Sequence, residues 1–381
     1  MLEPILTIGI GSVLTVLLAF MAVRLSIALR RFTIKKTSAL AEDIPSVSVC
    51  IPARNETHAL AECLERVLAS DYPKIEIVVF DDNSDDNTSM LVRSFAHAGV
   101  RFVPGVPLPD GWLGKNHALS ILAREASGSK VVFLDVDTKV GPTTISQLVA
   151  YSAAEAVDMV SVLPLQRDHF SLRVLFTPLR YLWEVLLSGR QTPATTSAVW
   201  LIDRDVLLDE CGGFTTYAGD IRPEQRLAER LGTKRYHFLL GSRQLNVYQE
   251  KKWSSQLETS RRLLYPMVGS APVNALGAIF LLLFMNVPLV GVVFALVNRD
   301  EVVGIWFAAL SLGFSLLYGV YCARVRLGGA WAAAIVWPLV VVQEIYLLVA
   351  SVIGYMTNTI TWKGRLVTAP VIQDDYIVID K

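Results

Sequence analysis

Cysteine is scarce in this chain: four in 381 residues, Cys50, Cys63, Cys211 and Cys322, with no CxxC pair among them. That spacing excludes a zinc cluster and a small secreted domain stapled by disulfides, and leaves reduced, buried thiols. Net charge is missing as well, since 35 basic side chains cancel 35 acidic ones, so affinity for nucleic acid resting on bulk positive charge is excluded. Charged residues make up only 18% of the chain against 52% hydrophobic, which rules out a disordered polymer. The first strand-like run is not followed by GxGxxG, and GxxxxGK[ST] occurs nowhere, so dinucleotide-binding and P-loop readings fall away. Internal repeats and low-complexity segments are also lacking.

What is abundant is apolar sequence, with a mean hydropathy of +0.44 that implies a chain partly in lipid. A charge-free run from Ile5 to Val23 is long enough to cross about 30 Å of hydrocarbon as a helix. Glu3 precedes it, while Arg24, Arg30, Arg31, Lys35 and Lys36 follow, which fits an uncleaved anchor with its downstream side in the cytoplasm. Three further apolar stretches occupy about 273–297, 303–321 and 330–355. Asp300 and Glu301 in one loop, and Arg324 and Arg326 in the next, place those loops outside and inside. Counting three spans puts the C-terminal tail outside. Pro338, Gln343 and Glu344 in the third stretch point instead to a broken, re-entrant or interfacial segment that returns the tail to the cytoplasm, and both readings stay open.

Between the apolar ends, Val47–Ile51, Ile75–Phe80, Lys130–Leu134 and Asp158–Val162 are β-branched runs of strand length, nearly continuous in apolar character. The intervening segments, around 58–69, 86–97, 115–126 and 142–153, space their apolar residues as helices do. The alternation predicts an α/β domain with a mainly parallel sheet and ligands at the carboxyl ends of its strands. An apolar helix is also expected around 174–187.

Polar residues gather at those strand ends. Pro52-Ala53-Arg54-Asn55-Glu56 follows the first strand, and Asp81-Asp82-Asn83-Ser84-Asp85-Asp86-Asn87-Thr88 follows the second. Helix capping accounts for one or two of the latter residues and leaves the Asp81-Asp82 pair unexplained. The third strand ends in Asp135-Val136-Asp137, whose carboxylates leave the strand on the same side, close enough to share a divalent cation. Oxygen ligands favour Mg2+ or Mn2+, with a solvated turn as the alternative. Lys115, ahead of a helix, offers a cation near bound phosphate or else a surface charge, and Trp112 is either an acceptor-side platform or simple packing.

Together IPARNE (51–56), FDDNSDDNT (80–88) and FLDVDT (133–138) resemble family 2 glycosyltransferases of the GT-A fold. Gly111–Leu119 (GWLGKNHAL) and Thr361–Arg365 (TWKGR) are similar to the membrane-anchored enzymes that glycosylate carotenoid acids and related polyisoprenoid lipids, the staphyloxanthin type. The resemblance implies that Asp82 recognises the nucleotide base, with Pro52, Ala53, Arg54 and Glu56 lining the same pocket. It implies that Asp135 faces the ribose or sugar side and that Asp137 holds the metal on the donor diphosphate. It also implies inversion, with a carboxylate base from an acidic pair soon after a Gly-Gly-Phe turn. Gly212-Gly213-Phe214 is present, and Pro223-Glu224 stands where Glu-Asp is usual, so Glu224 is the expected base and Asp220 the reserve. In place of the family's Gln-x-x-Arg-Trp the chain has Gln249-Glu250-Lys251-Lys252-Trp253, which makes Gln249, Lys252 and Trp253 donor-binding candidates; lysine there keeps the charge and loses the bidentate fork. Arg261 and Arg262 are alternatives for that cation.

The chain thus divides into a membrane anchor (1–36), a cytosolic GT-A domain (37–260), C-terminal membrane segments (261–360) and a tail (361–381). The expected activity is inverting transfer of a sugar from a nucleotide sugar, a UDP-sugar, to a lipid acceptor such as a carotenoid or hopanoid, at the cytoplasmic face of the cell membrane with Mn2+ or Mg2+. Alternatives are a processive polysaccharide synthase and an inactive scaffold or nucleotide-sugar sensor, the latter motivated by the missing Glu-Asp pair.

Overall fold

The computed structural model describes residues 2–34, 44–167, 179–189, 191–250 and 253–367. Helix α1 (Leu2–Arg31) leads to β1 (Val47–Ala53), α2 (Leu60–Leu68), β2 (Ile75–Asp81), α3 (Thr88–Ser94), β3 (Val100–Pro104), α4 (Gly114–Glu125) and β4 (Lys130–Leu134). Then come β5 (Thr138–Lys139), α5 (Thr144–Ala154), β6 (Met159–Leu163), β7 (Leu165–Gln166), α6 (Arg180–Leu187), β8 (Val199–Asp203), α7 (Pro223–Arg235), β9 (Tyr236–Leu240) and β10 (Tyr248–Gln249). The chain continues through α8 (Trp253–Met267), α9 (Pro272–Asn298), α10 (Glu301–Val325), α11 (Ala330–Ile335), α12 (Trp337–Met356) and a hairpin of β11 (Thr361–Trp362) and β12 (Arg365–Leu366).

The main sheet has seven strands in the order β3-β2-β1-β4-β8-β6-β9. It is parallel except at β8, which runs against both β4 and β6. Strand pleating divides the core in two: Val49, Ile51, Ile77 and Val79 face one layer with α2 and α5, while Cys50, Val78 and Phe80 face the other with α4, α6 and α7. Helix α2 shows the cause of its docking in its sequence, burying Leu60, Cys63, Leu64 and Val67 at one helical face. The four expected strands are present, each shifted or extended by two residues at most. Strands β3, β8 and β9 were not anticipated; β3 (VRFVP) and β9 (YHFLL) interrupt their apolar runs with Arg101 and His237. Of the helix expected at 174–187, the part from Arg180 onward is observed, and residues 171–178 lie outside the described set.

Among the described residues, four helices are long and apolar enough to cross a membrane: Ile5–Arg31, Pro272–Asn298, Glu301–Val325 and Trp337–Met356. Outward-facing Ile5, Val16, Phe280, Val290, Leu296 and Ile305 give them an apolar exterior suited to lipid. The second core layer runs from the sheet into α1 and α10 without a break, and Phe32 meets Phe238 edge-on at 5.1 Å. Helix α1 extends past the charge-free run, and Arg24, inside it, donates through Nε to the Leu186 carbonyl at the end of α6 (2.8 Å).

The last apolar helix leads the chain back to the α/β domain. Just after α10, Leu327 N–H donates to the Gln166 carbonyl in the α/β domain (2.9 Å). Trp337, at the start of α12, packs on Tyr318 near that same end of α10, with ring centroids 5.2 Å apart. At its far end Tyr355 donates to the Arg262 carbonyl (2.7 Å), and the β11–β12 hairpin lies against the carboxyl ends of β1 and β2. Leu327, ahead of α11, and Tyr355, at the end of α12, thus both adjoin the α/β domain, and the hairpin that follows lies on the domain's side. Glu344 of α12 is buried with neither carboxylate oxygen hydrogen-bonded among the described residues, a polar group costly in open lipid.

Candidate active site

The strand ends converge on a cavity of about 290 Å³ lined by Pro52, Ala53, Arg54, Glu56, Asp82, Lys115, Asp135 and Asp137, with Arg262, Trp362 and Lys363 closing the other side. The two adjacent aspartates after β2 have separate tasks. Asp81 accepts hydrogen bonds from the Ser84 and Ser89 hydroxyls and so holds the turn. Asp82 is buried and faces the cavity, where Arg365 Nη1 donates to its Oδ2 at 2.7 Å. Its Oδ1 is buried with no hydrogen-bond partner among the described residues, an arrangement that costs roughly 1–3 kcal/mol until a donor arrives. Burial raises the Asp82 pKa, against the opposing pull of Arg365, Arg54 and His117. Asp86 is the loop's cap: burial opposes ionisation, but hydrogen bonds from Thr57 and Thr88 outweigh it and lower the pKa to about 2.

Asp135 and Asp137 both line the cavity, on either side of buried Val136. Lys115 Nζ pairs with Asp135 Oδ1 at 2.6 Å, which places the lysine at the acidic strand end and not on the open surface. Gln249 Nε2 donates to Asp137 Oδ1 at 2.8 Å, so the small sheet of β5, β10 and β7 serves to bring this glutamine to the third acidic strand end. No cluster of three His, Cys, Asp or Glu side chains occurs among the described residues. Two carboxylates are nevertheless a suitable donor set for Mg2+ or Mn2+, which draw their remaining ligands from water and phosphate.

Glu224 stands at the second position of α7, after Pro223, whose missing N–H costs nothing in a first helical turn. It is buried, at 6% exposure, and desolvation raises its pKa, with Arg222 and Lys115 pulling the other way. It lines a cavity of about 80 Å³ together with Trp112, Tyr181, Gln249 and Arg365. Lys115, Asp135, Arg262 and Trp362 belong to the walls of both this cavity and the larger one. Asp220 is placed differently: it pairs with Arg226 at 3.5 Å and lines a third cavity, of about 680 Å³, with Trp183, Leu187, Pro266 and Met267. Ile221 borders both this cavity and that of Glu224.

Two sets of polar contacts hold the start of α7 in place. Asn116 Nδ2 donates to the carbonyls of Tyr217 (2.7 Å), Ala218 (3.0 Å) and Asp220 (2.7 Å), tying the loop before α7 to α4. Arg222 pairs with Glu184 of α6 at 2.6 Å and donates to Thr195 Oγ1 at 2.8 Å. Trp112 packs edge-on against His117, centroids 5.7 Å apart, and still reaches the Glu224 cavity. Lys252 lies outside the described residues, as does the Trp253 side chain. Arg262 is the cation of α8 that reaches both inner cavities; its side chain lies over Trp362 at 5.6 Å, and its Nε has no hydrogen-bond partner among the described residues. Local pattern does not signal Asn116 or Arg222, whose partners are distant in the chain.

Residues 48–210 match the family model described as Glycosyl transferase family 2. Among curated proteins the chain is 33% identical over 138 residues to an undecaprenyl-phosphate 4-deoxy-4-formamido-L-arabinose transferase of Pectobacterium atrosepticum, covering 35% of this chain and 41% of that one. It is 31% identical over 103 residues to a 4,4'-diaponeurosporenoate glycosyltransferase of Staphylococcus aureus, covering 27% of this chain and 26% of that one. The chain thus spans less than half the length of these relatives. A mannosyltransferase of Pyrobaculum calidifontis, solved with GDP-Man and Mn2+, superposes with a TM-score of 0.52 at 20% identity over 91% of this chain and 98% of that one. This likeness bears on the fold, and the fold is of the GT-A type. The chain carries a glycosyl transferase family 2 domain joined to four apolar helices.

Proposed function

We propose that the chain is a membrane-bound glycosyltransferase that moves one sugar, with inversion, from a UDP-sugar to a lipid acceptor. The observation that carries this reading is the common wall: Lys115, Asp135, Arg262 and Trp362 line both the acidic cavity at the strand ends and the cavity of buried Glu224. A nucleoside diphosphate in the first would leave its sugar near the second. The larger cavity beyond Ile221, between α6, α7 and the end of α8, sets apolar Trp183, Leu187 and Met267 beside polar Arg222, Gln225 and Glu229, and suits an amphipathic lipid acceptor arriving from the bilayer. The two curated relatives, named for undecaprenyl-phosphate and diaponeurosporenoate as substrates, support a lipid of this kind.

Glu224 takes the proton of an acceptor hydroxyl as the oxygen attacks the anomeric carbon, and its raised pKa makes it a stronger base than an exposed carboxylate. Lys115 and Arg262 place positive charge beside the departing diphosphate. Asp135 and Asp137 would hold Mg2+ or Mn2+, whose contribution there is to neutralise that same charge. Arg24, Arg30 and Arg31 at the domain end of α1, and Arg324 and Arg326 at the domain end of α10, favour a cytoplasmic catalytic face.

The test is transfer of radiolabel from a panel of UDP- and GDP-sugars into the organic phase, using membranes that contain the full chain, native lipid and Mn2+ or Mg2+. Metal-dependent transfer from a UDP-sugar supports the proposal. Binding of UDP with no consumption of any donor refutes it in favour of a sensor or scaffold.

A further inference from the structure

The C-terminal hairpin reaches the deepest polar group of the donor cavity. Its two turn residues, Lys363 and Gly364, have φ of 49° and 78°, the combination of a two-residue turn that follows the twist of a hairpin, and Trp362 pairs directly with Arg365 across it. The turn thereby sends three side chains into the site. Trp362 lines the cavity, Lys363 Nζ pairs with Glu56 Oε1 at 2.8 Å, and Arg365 Nη1 meets Asp82 Oδ2 at 2.7 Å. Space for the last contact depends on Gly114: a Cβ there would stand 2.8 Å from Arg365 Nη1 and 3.2 Å from Asp82 Oδ2.

We propose that Arg365 is a specificity-determining residue that, paired with Asp82, selects uracil as the donor base. This rests on the reading of the cavity as a nucleotide-sugar site. The pair presents one open acceptor, Asp82 Oδ1, beside the donors of a guanidinium. Uracil offers the complement, a ring N–H flanked by carbonyl oxygens: the N–H satisfies Oδ1 and a carbonyl accepts from Arg365. Cytosine and adenine carry an acceptor at the equivalent ring nitrogen, which would face Oδ1 acceptor to acceptor. Guanine offers adjacent ring and exocyclic N–H groups that would engage both oxygens of a carboxylate, and Arg365 already holds Oδ2. Lys363 pairs with Glu56 and not with Asp82, so it adds positive charge to the cavity without reading the base.

The experiment is calorimetric titration of UDP, GDP, CDP and ADP, each with Mn2+, into the purified full chain in detergent, as wild type, Arg365→Gln, Arg365→Lys and Lys363→Gln. The expected result is that wild type binds UDP most tightly. Arg365→Gln loses roughly tenfold or more for UDP while GDP holds or gains, because Oδ2 is released. Arg365→Lys restores charge without the fork and leaves the UDP-to-GDP ratio reduced, and Lys363→Gln weakens all four alike. A uniform loss for every nucleotide in Arg365→Gln, or an unchanged ratio, overturns base selection and leaves the donor site standing. If wild type binds none of the four, the donor reading falls with it. Should Arg365→Gln not fold, Arg365→Lys with the same ratio as wild type is the contradicting result.

Discussion

The proposed donor half of the site and the proposed catalytic half are built in different ways. On the donor side, Arg54, Asp82, Asp135 and Asp137 follow directly from the ends of β1, β2 and β4, so the parallel sheet alone brings them together. Glu224 instead depends on a helix start held by Asn116 from α4 and, through Arg222, by Glu184 from α6. Strand-end residues are positioned by the hydrogen-bonded ladder of the sheet. The proposed base is positioned by two polar links whose loss would move it without unfolding the sheet.

That contrast is broken most severely by removing charge at either centre. Asp137→Asn is expected to lower transfer by at least ~10³-fold, since it removes a carboxylate from the divalent-cation pair, and this is measured as label incorporation at saturating Mn2+. Glu224→Gln should lower kcat by about 10²–10⁴-fold for a hydroxyl acceptor with little change in UDP affinity. Asp220→Asn, on the outer cavity, should cost less than about tenfold, mainly in acceptor KM; a loss as large as that of Glu224→Gln would exchange the roles of the two acids.

A smaller effect sharpens the difference in construction. Asn116→Ala takes the side-chain donor from the Asp220 carbonyl, while those of Tyr217 and Ala218 keep backbone donors, and should cost about 1–3 kcal/mol of stability, read as a lower Tm in detergent, and more in kcat than in donor affinity. The smallest expected effect is in pH dependence. Desolvation raises the folded pKa of Glu224, with Arg222 and Lys115 opposing, so the acidic limb of kcat lies above the ordinary carboxylate value and disappears in Glu224→Gln. Ionising a group with a raised pKa costs folded-state stability. The contribution of Glu224 is therefore full below its unfolded value and declines as pH rises through the folded one, a slope in Tm that Glu224→Gln should flatten.

Legibility in the sequence follows the same division. The carboxylates of Asp135 and Asp137 were readable because strand side chains alternate, and Asp82 because an acidic pair exceeded what capping requires. Placement of Lys115 against Asp135 required knowing that α4 starts beside the end of β4. Strand β8 escaped because antiparallel insertion between β4 and β6 is a matter of pairing across the chain, not of local pattern. The hairpin was the least legible part: hydropathy makes α12 resemble a span, and only contacts made across the fold at its far end place Arg365 at Asp82.

The central claim is that Glu224 and the acidic cavity form one transfer site, and the direct test is label transfer from a UDP-sugar to lipid by wild type, Asp137→Asn and Glu224→Gln membranes side by side. The account predicts metal-dependent labelled lipid from wild type and almost none from either variant, with UDP binding retained in Glu224→Gln. Full transfer by Glu224→Gln at neutral pH with a hydroxyl acceptor would contradict it.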